Sequence, residues 1–179
     1  MVLQVEKFKR GAVPGEPFIG IIMGSWSDWA AGMNMALTTL DELGIPAEAA
    51  VISAHRTPNL IQEYASRAIR MDFSAVIAAA GGAAHLPGMV AAHLPSIPVV
   101  GVPMKTSTLG GADSLHSIVQ MPPEIPVGTM AISGCVNAAL YAAQIEGVRN
   151  VSVKNALYVR RLGLTDLVMQ HPDPSVDPR

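Results

Sequence analysis

The sequence predicts a three-layer α/β fold: a five-stranded parallel sheet with helices on both faces and a further helix at its C-terminal end. Three observations carry this expectation. Short apolar runs alternate with segments of helical spacing along the chain, the order that a parallel sheet with crossover helices demands. The 179 residues suffice for one domain with a sizeable core. Hydrophobic residues make up 50% of the chain and charged residues only 15%, which excludes a disordered polymer. So little charge also points to surface buried against other copies of the chain.

The elements follow in order. Residues 18–23 (FIGIIM) are a short apolar run ending at Gly24, the pattern of a buried parallel strand. Residues 29–43 place Met33, Ala36, Leu37, Leu40 and Leu43 at helical spacing, and Gly44-Ile45-Pro46 stops that helix. Residues 47–52 form a second strand, and Pro58 opens a helix reaching about residue 71. A third strand (75–80), a short helix (86–93) and a fourth strand (98–102) follow. Next come a helix (113–120), a fifth strand (127–132) and another helix (137–146). Residues 151–169 are amphipathic and interrupted at Gly163. The lengths suit a flavodoxin-like sheet. The expected organisation is an extension over 1–17, an α/β domain over 18–150, a C-terminal helix over 151–170 packing on a neighbouring subunit, and a mobile tail over 171–179.

Several function classes drop out. A net charge of −2 provides no basic field for a nucleic acid backbone. The lone Cys135 excludes a disulfide framework and fits a reducing compartment, and a cytoplasmic location is expected. The N-terminal stretch has no apolar signal-peptide core. Residues 73–104 hold no Asp, Glu, Lys or Arg, but Pro87, Pro95, Pro98 and Pro103 exclude a lipid-facing helix there. Neither a dinucleotide fingerprint nor a Walker A loop is present.

In open α/β sheets, ligands bind beyond the carboxyl ends of the strands. Three such loops stand out. After the first strand, Gly24-Ser25-Trp26-Ser27-Asp28 offers a flexible backbone, the hydroxyls of Ser25 and Ser27, and Asp28 at a helix N-cap position. After the second strand, Ser53-Ala54-His55-Arg56 joins a phosphate-binding guanidinium to an imidazole that exchanges protons near neutral pH. After the third strand, Gly81-Gly82-Ala83-Ala84-His85-Leu86 is a shelf of backbone amides almost without side chains. Singly, each loop also fits a structural role: a capped turn, a surface His and Arg, or close helix–strand packing. Together they describe a site for a phosphorylated small molecule with acid–base chemistry.

The motifs MGSxSDW (23–29), SAHRTP (53–58), AGGAAHLPGM (80–89) and DSLxSIVQMP (113–122) occur in this order and spacing. In this the chain resembles class I PurE, the N5-carboxyaminoimidazole ribonucleotide (N5-CAIR) mutase family of purine biosynthesis, from residue 18 to residue 145. The resemblance implies conversion of N5-CAIR to 4-carboxy-5-aminoimidazole ribonucleotide (CAIR) without ATP, metal or other cofactor. Decarboxylation gives aminoimidazole ribonucleotide (AIR) and trapped CO2, which C4 then recaptures. His55 falls on the family's proton-transferring histidine. The phosphate and ribose contacts fall on Ser25, Asp28, Ser53 and Arg56, with Ser27 and Ala54 nearby. The shelf of Gly81, Gly82, Ala83, Ala84, His85 and Leu86 falls beside the imidazole and its carboxylate. The resemblance further implies a homo-octamer with sites near subunit junctions.

Two alternatives remain open. Class II AIR carboxylases use CO2 directly, and Gly110-Gly111-Ala112-Asp113 is closer to their wording, whereas Arg56 and the intact GGAAHLPG favour class I. A non-catalytic module binding a phosphoribosyl or flavin nucleotide is the other. Flavin stacking asks for aromatic walls, and Trp26 is the one residue placed to serve. Lys105 lies in the loop after the fourth strand and is a solvated lysine by default; Asp113 and Ser114 read as a helix cap. His93, His116 and His171 are isolated, and Cys135 sits among apolar residues.

Overall fold

A computed structural model describes residues 6–8, 16–173 and 175, with backbone alone for 6–8. The rest of the expected N-terminal extension, and residues 174 and 176–179 of the expected tail, lie outside the described residues. The elements are β1 (Glu6–Phe8), β2 (Ile19–Met23), α1 (Trp26–Asp28), α2 (Asn34–Glu42), β3 (Ala47–Val51), α3 (Pro58–Arg70), β4 (Ala75–Ala80), α4 (Leu86–His93), β5 (Val99–Pro103), α5 (Ala112–Val119), β6 (Gly128–Thr129), α6 (Cys135–Gly147) and α7 (Val151–Gln170).

The sheet order is β1-β3-β2-β4-β5-β6. The last five strands are parallel in the flavodoxin-like order, as the alternation predicts. β2, β4 and β5 are buried along their whole length, which is why they read as unbroken apolar runs. One core lies between the sheet, α2 and α6, built from residues such as Ile19, Ile21, Leu37, Leu40 and Ala142. The other lies under α3, α4 and α5, around Phe18, Ile61, Tyr64, Val90 and Ile118. The chain reverses direction across the sheet between β2 and β4, so their carboxyl ends, with that of β3, form one rim.

Four details depart from the sequence expectation. β1 adds an antiparallel edge to β3, pairing Glu6 with Ala49 and Phe8 with Ala47. The helix expected over 29–43 is broken by a kink at Gly32, whose φ of 138° is not helical, and α2 runs only from Asn34. A Cβ on Gly32 would lie 3.1 Å from Cys135 Sγ, so the glycine also lets the start of α6 approach. β6 keeps two residues, Gly128–Thr129, although Met130 N–H and Ser133 N–H still reach β5 at Gly101 C=O (2.9 Å) and Pro103 C=O (2.8 Å). α7 runs unbroken through Gly163, capped by Asn150, whose side chain accepts from the N–H groups of Ser152 and Val153. Among the described residues no helix is long and apolar enough to cross a membrane.

Candidate active site

The rim of β2, β3 and β4 carries all three loops singled out in the sequence. Gly24 follows β2 and donates its N–H to Ala79 C=O of β4 at 3.1 Å. Ser25, rather than Asp28, caps α1: its hydroxyl accepts from Ser27 N–H at 3.3 Å and lies 2.8 Å from the Ser27 hydroxyl. Asp28 sits inside the short helix and is only 9% exposed. Burial pushes its carboxyl above the ordinary range, while the Ser25 backbone and the Arg56 charge pull it back.

The loop after β3 tightens by its own hydrogen bonds. The Thr57 hydroxyl accepts from Ser53 N–H at 2.9 Å and donates to Ser53 C=O at 3.1 Å. The Ser53 hydroxyl accepts from Arg56 Nε at 3.1 Å and from Arg56 N–H at 3.3 Å. An Arg56 Nη2 hydrogen reaches Gly24 C=O at 2.8 Å, joining this loop to the one after β2. Arg56 is thereby oriented by two neutral acceptors, with charge and donors left for an anion. α3 starts only at Pro58, so His55 and Arg56 occupy the turn before it.

The third loop brings His85 to His55. Their facing nitrogens, His85 Nδ1 and His55 Nε2, are 2.7 Å apart, with the rings edge-on at 79° and centroids 4.9 Å apart. One ring donates and the other accepts, so these two nitrogens share one proton. The pair is solvent-accessible, as proton exchange with a ligand requires. Ala84 and Leu86 bury their side chains in the core, leaving backbone as what they present on this rim. Lys105 is exposed after β5.

Sequence reasoning missed the props of this loop. Asp113 does not cap α5; Gly111 takes the cap position, and Asp113 accepts from the Thr106 hydroxyl at 2.9 Å. Ser114 is fully buried within α5 and bonds to Gly82 N–H and Met104 C=O. Ser117 donates to Ala83 C=O. The DSLxSIVQMP motif was the available signal, but spacing alone does not say which backbone groups its serines meet.

Cavities of about 280, 370, 330 and 570 Å³ open elsewhere, and none is lined by His55, Arg56 or the 81–86 shelf. Among the described residues no group of three or more His, Cys, Asp or Glu is placed to hold a metal ion.

Fold and rim define a class: a flavodoxin-like α/β protein whose strand-end loops set an anchored guanidinium and hydroxyls beside a hydrogen-bonded imidazole pair. Comparison with known proteins narrows it. The family described as AIR carboxylase matches residues 18–166. The chain is 51% identical over 161 residues to the N5-carboxyaminoimidazole ribonucleotide mutase of Aliivibrio fischeri, covering 89% of this chain and 99% of that one. It is 50% identical to the protein of the same name from Pseudomonas aeruginosa, over 87% of this chain and 96% of that one. The crystal structure of Treponema denticola PurE shares the fold, with a TM-score of 0.79 at 23% identity, covering 87% of this chain and 96% of that chain. The chain therefore belongs to the AIR carboxylase family.

Proposed function

We propose that this protein is an N5-CAIR mutase of purine biosynthesis, moving a carboxylate from the exocyclic nitrogen of the substrate to C4 of its imidazole. The observation that carries the reading is the His55–His85 contact set beside the Arg56 anchor on one rim, in a chain half identical to curated mutases over nearly their full length. Arg56, Ser25, Ser27 and Ser53 hold the phosphate, with Ala54 alongside, and Asp28 accepts from the ribose diol. His55 gives a proton to the exocyclic nitrogen as its bond to the carboxylate breaks, releasing CO2 and leaving AIR. C4 attacks the CO2, and His55 then takes the C4 proton, ending as it began. The shelf of Gly81, Gly82, Ala83, Ala84 and Leu86 confines the CO2 against the ring, so proximity replaces electrophilic assistance. His85 holds the His55 ring in place.

The reading extends to assembly and location: a cytoplasmic homo-octamer whose sites lie near subunit junctions, with α7 as one contact element. The openness of the rim in a single chain and the exposed side chains along α7 support it. A second reading, the carboxylase using CO2 directly, draws on Gly110-Gly111-Ala112-Asp113 and on the name of the matching family.

A paired ultraviolet assay of CAIR formation decides between them. Fresh N5-CAIR is expected to convert rapidly, with AIR plus high bicarbonate used poorly. Preference for AIR would establish the carboxylase, and no product from either would leave a nucleotide-binding module.

A further inference from the structure

The helix α5 carries two hydroxyls three residues apart, Ser114 and Ser117, and this spacing puts them on one face. That face meets the 81–84 loop. The Ser114 hydroxyl donates to Met104 C=O at 2.8 Å, just past the end of β5, and accepts from Gly82 N–H at 2.9 Å. The Ser117 hydroxyl donates to the next residue's carbonyl, Ala83 C=O. The loop has little to hold it otherwise: Ala84 N–H to Gly81 C=O spans 3.3 Å. Its shape is also one the chain does not choose freely. Gly82 has φ 67°, and Ala84, which is not a glycine, has φ 42°. A left-handed alanine persists where its surroundings over-determine it. Ala84 is buried, and the backbone on its N-terminal side is gripped from α5.

The residue after Ala84 is His85. Its ring position, 2.7 Å from His55, is inherited from the loop, since His85 opens α4 without a side-chain cap bond of its own. The α5 face is itself anchored, because Thr106 donates to Asp113 and accepts from Gly111 N–H at 3.2 Å. The Arg56 anchor shares none of these bonds; its partners are Ser53 and Gly24.

We propose that Ser114 and Ser117 are positioning residues: from α5 they fix the 81–84 backbone so that His85 meets His55, and they act on proton transfer without touching the phosphate anchor. The claim rests on the reading of His55 as the proton carrier, and its test keeps the two apart. The variants are Ser114→Ala, Ser117→Ala and the conservative Ser117→Thr, each assayed with N5-CAIR and examined by imidazole 15N spectroscopy at fixed pH. In the unmodified protein each of His55 and His85 is expected to show one tautomer. In the alanine variants both rings become tautomer mixtures, kcat falls by up to about 100-fold, and KM stays within about twofold. Ser117→Thr restores both. Unmoved spectra and kcat in Ser117→Ala would overturn the proposal, as would a rise in KM alone or a failure of the threonine to rescue. If Ser114→Ala does not fold, the half-exposed Ser117 decides alone. If the unmodified protein shows no turnover, the mutase reading fails while the spectra still decide the positioning claim.

Discussion

His55 and Arg56 are adjacent in sequence yet hold separable tasks, because one faces another imidazole and the other faces neutral acceptors. His55→Asn keeps a polar side chain but cannot shuttle protons. Turnover is expected to fall on the order of 1000-fold, with the affinity for CAIR, read by calorimetry, nearly unchanged. Arg56→Ala removes charge-assisted bonds worth about 1.5–3 kcal/mol and is expected to weaken the same affinity about 10- to 100-fold. Unchanged affinity in Arg56→Ala would contradict the anion site. Asp28 carries a cost of another kind. Its carboxyl is raised by burial, so the folded chain holds more protons than the unfolded one between the ordinary value of 3.8 and the raised one. Its contribution to stability therefore falls as pH rises through that window and stays lost at neutral pH. Asp28→Asn is expected to raise Tm at pH 7 by about 2–4 °C, with a smaller gain at pH 4, while weakening ligand binding. A lower Tm at pH 7 would sink this account.

Helix α3 and strand β3 share a buried ion pair far from the rim. Glu48 lies in an alanine-rich strand at 0% exposure and pairs with Arg67, which also stacks 5.5 Å over the Phe73 ring. Beside it, Gly20 leaves the space that the Tyr64 hydroxyl fills, since a Cβ there would come within 2.2 Å of that oxygen. Arg67→Ala strands a buried carboxylate and is expected to cost about 3 kcal/mol in urea denaturation, the low end of the range because the Arg67 side chain is 24% exposed. Glu48→Leu combined with Arg67→Met is expected to recover most of that loss; a double variant as unstable as the single would contradict it. Nothing in the periodicity of AEAAV distinguished this glutamate from an exposed one. β4 and α4, by contrast, were legible residue for residue, because strands buried on both faces leave continuous apolar runs bounded by Gly and Pro. β1 was not, since three residues are too few for any period, and β6 was read as a strand but over 127–132, longer than its two residues. The kink was hidden because one φ at Gly32 sets it, and a pattern of apolar positions is blind to that angle. The site divides in the same way. Its three loops follow from where strands end, whereas the meeting of His55 with His85, thirty residues on, depends on backbone angles at Gly82 and Ala84 that composition does not encode.

At the scale of the whole molecule, α7 is the element that a single chain explains least. It spans twenty residues, of which only Val153 is buried, and Tyr158, Val159, Leu162, Leu164, Val168 and Met169 are exposed. Its ties to the domain include packing on α6 and the Arg160–Glu42 ion pair at 2.7 Å, an exposed bridge of small worth. Most helical stability comes from packing an apolar face. With these apolar side chains exposed, on a chain with only 15% charged residues, α7 is expected to be covered by other copies of the chain. Light scattering behind a sizing column is expected to show an oligomer at micromolar concentration, the octamer if the family pattern holds. Placing charges at Tyr158→Glu and Leu162→Glu, one turn apart on that face, is expected to yield smaller particles with a loosened α7 and a lower Tm. Activity is expected to fall with assembly if, as proposed above, the rim around His55, open in the single chain, lies at a subunit junction. A monomeric starting protein, or a doubly charged variant that still assembles, would show instead that α7 stands free in solution and that the low charge of the chain is answered elsewhere on its surface.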